Sequence, residues 1–200
     1  YIFDLGKFYH SHHDYVKTIA SYRTVKDIDE NLYEQNETYE NKRNLVGIIH
    51  LLAKCYCEAH LREEMVEEIK QCKELKGEIE NLQEFCEEYS YYANLYKQSN
   101  MLSEAYEEFD AICSRIYDAL GKGEGNAFLY LFIDNLIETA EILCIAQETV
   151  DGLDRLSLAM ELSTGQIEEA EASQVDEAYI EDFRLLYRRA YNIYKSNIKQ

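Results

Sequence analysis

Three histidines and an aspartate lie close together near the start of the chain, in the order His10-x-His12-His13-Asp14. Imidazole nitrogens bind zinc or copper when two or three of them converge on one point. Here the histidines straddle the expected end of a helix, where adjacent His12 and His13 diverge. Because no complete set of ligands accompanies them, we interpret them as turn residues and predict no metal site.

The cysteines could also bind a metal, but their spacing does not favour it. Cys55-x-Cys57 has no second pair at zinc-finger spacing, and residues two apart on a helix point in different directions. All six cysteines lie in helical, mostly apolar contexts, where a thiol behaves as a small buried hydrophobe. No signal peptide and no apolar run of membrane-spanning length is visible. These features predict a reducing, cytoplasmic setting.

No catalytic motif stands out. The sequence contains neither the Glu-x-x-His motif of di-iron bundles nor His-Glu-x-x-His. The run from Gly121 to Gly125 superficially resembles a phosphate-binding loop, but no strand precedes it and no Gly-Lys-Ser/Thr follows. We therefore interpret it as a turn between helices and predict no catalytic site and no cofactor. A helical-bundle enzyme remains the less favoured alternative.

The elements that position these residues are indicated by a spacing that recurs four times. A small residue is followed by a bulky one three positions later, by a small or medium one at twelve and by a bulky one at sixteen. The clearest copy is Ala93, Tyr96, Ala105 and Phe109, and the others begin at Gly6, Ala53 and Ala140. Helices that cross at about 8–10 Å need a small residue at the contact. The spacing therefore predicts pairs of antiparallel helices, and the absence of proline fits a mostly helical chain.

The predicted fold is all-α, a right-handed array of helix hairpins that forms one domain over residues 1–200. The hairpins are expected at about 1–33, 37–78, 79–121 and 126–162, and a terminal helix at about 175–197. The third hairpin should begin with a helix from about Ile79 to Gln98. The inward residues of the terminal helix are expected to be Tyr179, Phe183, Leu186, Tyr187, Ala190 and Tyr194. Because the chain begins at Tyr1 in a helical pattern, we expect it to be a fragment of a longer protein.

This pattern resembles the tetratricopeptide repeat. The resemblance rests on Leu5-Gly6-x-x-Tyr9 with Tyr15, and on Tyr92-Ala93-x-x-Tyr96 with Ala105 and Phe109. The segment 116–123 is similar to the longer repeats of the kinesin-light-chain type. The resemblance covers about residues 1–162. It implies a right-handed superhelix that binds other proteins or peptides.

The resemblance also implies that the first helix of each hairpin lines a concave groove. The side chains expected there form a basic, amide-bearing strip, here called the first-helix strip: Lys7, His50, Lys54, Ser90, Asn94 and Lys97. Ammonium and amide groups can hold the carboxylates and backbone of an extended peptide. We predict that the strip receives an acidic segment or a free C-terminus. The alternative is an ordinary solvated helix face.

The charge of the chain narrows the choice of partner. A formal net charge of −19 argues against binding to duplex nucleic acid or to an anionic membrane surface. The predicted function is that of a protein- or peptide-binding scaffold, whose partner could include another domain of the same parent protein. The alternative is a peptide-sensing regulatory domain of the bacterial quorum-sensing kind, which also resembles this repeat pattern.

Overall fold

The structure is a computed structural model that describes residues 1–198. Within that range the chain contains nine α-helices and no β-strand, so the predicted all-α class is confirmed. The helices are α1 (Ile2–Ser11), α2 (Tyr15–Gln35), α3 (Tyr39–Glu58), α4 (Arg62–Lys76), α5 (Leu82–Gln98), α6 (Leu102–Gly121), α7 (Leu129–Ile145), α8 (Thr149–Ala172) and α9 (Glu177–Asn197). A short 3₁₀ turn, Asn126–Phe128, precedes α7. None of the described helices is both long enough and apolar enough to cross a membrane.

The chain divides into two compact units. Unit 1 contains Tyr1–Glu80 together with Gln98–Asn100, and therefore the helices α1 to α4. In unit 1, α2 packs against both α1 and α3, and α3 packs against α4. The core between α3 and α4 includes Leu52, Tyr56 and Ile69, each at most 1% exposed.

Unit 2 contains Asn81–Lys97 and the residues from Met101 onward, and therefore α5, apart from its last residue, to α9. In this unit α7 packs against α6, α8 and α9, and α8 also packs against α9. The guanidinium of Arg115 on α6 lies 4.9 Å from the ring centre of Phe85 on α5. The single right-handed superhelix expected over both units stays a prediction from the sequence.

The hairpin turns repeat one backbone geometry. Each first helix of a hairpin is followed by a residue with positive φ that is not glycine: His13, His60, Asn100 and Gln147. After α3, for example, the amide of Leu61 donates to the carbonyl of Tyr56 at 2.8 Å, and the amide of His60 to that of Cys57 at 3.0 Å. The other three turns contain the counterpart of the bond from Leu61 to Tyr56, which spans five residues. In them the amides of Asp14, Met101 and Glu148 donate to the carbonyls of Tyr9, Tyr96 and Leu143, respectively. A residue in the left-handed conformation ends a helix and lets the chain reverse direction. The same turn therefore occurs once in each of the four copies of the recurring spacing.

The small residues of the recurring spacing lie at buried helix contacts. Ala53, Ala93 and Ala140 are at most 1% exposed. In the first hairpin the space beside Gly6 is filled by the ring of Tyr22. In the fourth, a β-carbon at Gly152 would crowd the Cys144 thiol and the carbonyl oxygen of Ala140. The close crossings therefore depend on glycine or alanine, as the sequence predicts.

Two details of the sequence interpretation were wrong. The helix expected from Ile79 begins at Leu82 instead, where the side chain of Asn81 accepts a hydrogen bond from the amide of Glu84 at 2.9 Å. On α9, Tyr179 and Tyr187 were expected to face inward but are 43% and 36% exposed. The buried face is formed by Ile180, Phe183, Leu186 and Ala190. Tyrosine satisfies the same periodicity at the edge of a core, where its hydroxyl reaches a polar partner or water; the Tyr179 hydroxyl donates to the side chain of Gln166 at 3.3 Å.

Candidate peptide-binding face

The first-helix strip of unit 1 presents two exposed lysines. Lys7 lies on α1, and its ammonium nitrogen is 4.3 Å from the ring centre of Phe3. Lys54 lies on α3, with its ammonium nitrogen 3.9 Å from a carboxylate oxygen of Glu58. The other oxygen of Glu58 is 2.8 Å from Nε2 of His10. Glu58 on α3 therefore connects to α1 through His10, and the side chains of Lys7 and Lys54 are exposed.

His50 is the third predicted residue in unit 1, and it makes a different contact. Its side chain is half-buried, and its Nε2 atom lies 3.3 Å from the thiol sulfur of Cys72 on α4. Cys72 is completely buried. The imidazole therefore contacts the second helix of its own hairpin, which reduces its availability to a ligand.

The first-helix strip of unit 2 lies on α5. The side-chain amide of Asn94 donates to the backbone carbonyl of Ser90 at 2.7 Å. The ammonium group of Lys97 is 2.5 Å from a carboxylate oxygen of Glu138 and 3.0 Å from one of Glu141, both on α7. Burial by itself would lower the pKa of Lys97, but the hydrogen bonds to these glutamates outweigh it and the pKa is raised. Lys97 therefore stays charged, and its charge is already matched inside the protein.

A second cation completes this network, and sequence reasoning missed it. Arg189 on α9 donates to Asp134 at 2.8 Å and also to Glu138. Its Nη2 atom lies 3.7 Å from Glu141 as well. Three carboxylates thus face two cations across α5, α7 and α9. This part of unit 2 is consequently not basic, contrary to what the lysine on α5 suggests by itself.

Two half-buried carboxylates of the network, Asp134 and Glu138, have opposite pKa shifts. Burial raises the pKa of Asp134, and the nearby charge of Arg189 only partly offsets that effect. Burial also acts on Glu138, but hydrogen bonds from Lys97 and Arg189 outweigh it and leave the pKa of Glu138 below its ordinary value. Glu138 on α7 is therefore the carboxylate that the cations of α5 and α9 stabilise most in its ionised form.

A cavity of about 540 Å³ lies in unit 1, bordered by α1, α2 and α3. Its apolar lining comes from Phe3, Val25, Ile48 and Leu51. Arg43, at its edge, is exposed and forms no ion pair or side-chain hydrogen bond with any residue from 1 to 198. This is the cavity next to Phe3, over which Lys7 lies, and it is called the unit 1 cavity below.

A second cavity, of about 500 Å³, lies in unit 2 between α5 and the start of α7. It is lined by Cys86, Glu87 and Ser90 on one side and by Phe128 and Leu131 on the other. Ser90 is thus one residue of the first-helix strip that borders a cavity. The single ionisable carboxylate there, Glu87, accepts a hydrogen bond from Gln83 at 2.9 Å.

The turn histidines have separate partners in the structure. His12 Nδ1 lies 2.8 Å from the carbonyl oxygen of Phe8, and His13 Nδ1 lies 3.3 Å from the hydroxyl of Tyr15. His10 contacts Glu58 on α3 instead. Each ring is therefore accounted for by a local or interhelical contact.

No protein-family model matches the chain, and no curated protein matches its sequence. Among solved structures, the chain is similar to the crystal structure of MamA, with 11% sequence identity and a TM-score of 0.48. The similarity covers 98% of this chain and 97% of that one. At this level it carries no argument about function, which has to come from the surface itself.

Proposed function

We propose that this protein is a binding module that recognises a segment of another protein on the faces of its first helices. The unit 1 cavity carries the proposal. It combines an apolar floor with Arg43, an arginine that has no partner in the described chain. Binding sites for peptides typically combine an apolar pocket with a few polar groups that fix orientation. The proposal assigns no catalytic role to the chain.

The chemistry of the cavity favours an apolar segment with an acidic group. An aliphatic or aromatic side chain of the partner would contact Phe3 and Leu51. A carboxylate next to it, from an acidic residue or a C-terminus, would pair with the guanidinium of Arg43, which can donate two parallel hydrogen bonds. Lys7 adds a second positive charge above Phe3. In a chain of net charge −19, Arg43 and Lys7 would be the positive groups that orient an acidic partner, and Asp29 is the one acidic residue of the described chain that lines the cavity.

The proposal is tested by selecting peptides from a displayed random library on the immobilised protein. We expect selected peptides to combine an apolar residue with an acidic one. Their affinity should fall by about tenfold or more in Arg43→Glu, because the substitution places two negative charges together. The matched control is Arg62→Glu, the same charge change at an exposed arginine of α4 that does not line the cavity. Failure to select any binding peptide, or equal affinity for wild type and Arg43→Glu, would refute the proposal.

A further inference from the structure

Gly47 is a glycine that the folded chain does not require. It lies in the middle of α3, where glycine is among the least favourable residues. Its φ is not positive, and a β-carbon added to it would meet nothing within 4 Å. Gly6 differs, because there the ring of Tyr22 occupies the space of a β-carbon. Neither backbone conformation nor packing within the described chain accounts for glycine at position 47.

The position of Gly47 supplies a reason. The residue is exposed and lines the unit 1 cavity, beside the apolar side chains of Ile48 and Leu51. A glycine on an exposed helix face allows another backbone to come close to the helix axis. Two helices approach to about 8 Å only where one of them carries a very small residue. An extended segment would instead reach the cavity floor with its side chains and would not need the glycine.

Charged groups lie on two sides of this position. Arg43 precedes Gly47 by about one turn of α3, and Asp29 lies on α2 at the cavity lining. Neither residue forms an ion pair or a side-chain hydrogen bond with another residue of the described chain. Asp29 is half-buried, and burial raises its pKa. The cavity therefore offers one positive and one negative group next to an apolar floor.

We propose that the unit 1 cavity holds an amphipathic helix of a partner protein, which crosses α3 at Gly47. This inference rests on the proposed function and specifies the conformation of the bound segment at the same site. The apolar face of the helix covers Phe3, Val25 and Leu51, the half-buried apolar residues of the lining. An acidic side chain of the helix pairs with Arg43, and a basic one pairs with Asp29.

The test uses a displayed library of amphipathic helices of about four turns, long enough to present apolar anchors at positions i, i+3, i+4 and i+7. Two variants of this protein are compared, Gly47→Leu and Gly165→Leu. Gly165 is the matched control, because it is exposed on α8 and its β-carbon would also meet nothing within 4 Å. Thermal melts establish that both variants fold. We expect Gly47→Leu to weaken binding of the selected helix by about tenfold or more, and Gly165→Leu to leave it unchanged.

A proline at the centre of the selected peptide provides the second readout, since it breaks a helix but is tolerated in an extended segment. We expect this peptide to lose binding, and circular dichroism to show that the parent peptide gains helix in the complex. If peptides bind and depend on Arg43 but are indifferent to Gly47→Leu and to proline, the segment is extended. The helix inference is then overturned while the proposed function stands.

Two other outcomes would also overturn the inference. If no peptide of either library binds, the proposed function fails and the helix inference fails with it. If light scattering shows a dimer for the wild type and a monomer for Gly47→Leu, the occupant is a second copy of this chain rather than a partner helix.

Discussion

Gly6 on α1 lies directly against the ring of Tyr22 on α2, and a β-carbon at residue 6 would overlap that ring. Tyr22 is only 2% exposed, and its ring centre is 5.8 Å from that of Phe3. The ring therefore has little room to move away. We expect Gly6→Ala to reduce the free energy of unfolding by about 1–3 kcal/mol, as overpacking in a core does. Urea unfolding followed by circular dichroism measures the change.

Gly165→Ala is the control for this substitution. Alanine is a better helix former than glycine, and the position on α8 is open. The control should raise the free energy of unfolding by about 0.5–1 kcal/mol. If Gly6→Ala is as stable as Gly165→Ala, the helices α1 and α2 do not cross at residue 6.

The left-handed turn residues lead to a second prediction. Gln147 has a φ of 68°, a conformation that costs a residue with a side chain about 1 kcal/mol or more. Gln147→Gly removes this strain, and the gain should exceed the added flexibility of the unfolded chain. We expect an increase in melting temperature. Asn100→Gly is the comparison, with a smaller increase, because asparagine tolerates a φ of 56° better than glutamine tolerates 68°.

The helix pairing could be predicted from sequence because it depends on local spacing. A glycine or alanine at a close crossing imposes a repeat that is visible within one hairpin, and Ala93 and Ala140 are completely buried as expected. The turns with a positive φ could be predicted from the sequence only in part. Asn100 is a familiar turn residue, whereas Gln147 carries no recognisable turn signal.

The charge network could not be predicted in the same way. Lys97 and Arg189 reach Glu138 from helices on either side of it in sequence, so no local pattern connects the three. One signal was nevertheless present. Asp134, Glu138 and Glu141 lie on one face of the mostly apolar helix α7, where like charges repel. Such a row of carboxylates indicates that cations must come from other helices. No comparable signal in the sequence indicated that Arg43 lies at the edge of a cavity. In the sequence, Arg43 is indistinguishable from an arginine on an ordinary solvated surface.

Glu138 gives a prediction for the pH dependence of stability. Its pKa in the folded protein is lower than the ordinary value of 4.5, because the hydrogen bonds from Lys97 and Arg189 outweigh burial. The ionised side chain therefore stabilises the fold above pH 4.5, and this contribution is lost as the pH falls through the lowered pKa. At neutral pH, Glu138→Gln should reduce the free energy of unfolding by about 1–3 kcal/mol. The difference from wild type should shrink in acid, as measured by urea unfolding across the pH range.

Asp134 should show the opposite trend, although it contacts the same arginine. Burial raises its pKa above the ordinary value of 3.8, so folding favours the protonated form. This contribution is fully present below pH 3.8 and is lost as the pH rises through the raised pKa. Wild type should therefore lose stability relative to Asp134→Asn as the pH rises through that region. Parallel slopes for Asp134→Asn and Glu138→Gln would contradict the assignment of opposite shifts.

The cysteine thiols differ in burial, and we expect the more exposed thiol to react faster with an alkylating reagent. Burial raises the pKa of Cys55 and of Cys113 to about 12, so almost no thiolate forms at neutral pH. Cys144 is half-buried whereas the other five cysteines are buried, although burial raises the pKa of Cys144 as well. We expect iodoacetamide to modify Cys144 first in the folded protein and Cys113 only on unfolding. Peptide mapping by mass spectrometry gives the order, and in concentrated urea the two should react at similar rates. Faster labelling of Cys113 than of Cys144 without urea would mean that α6 is not packed against α7 as described.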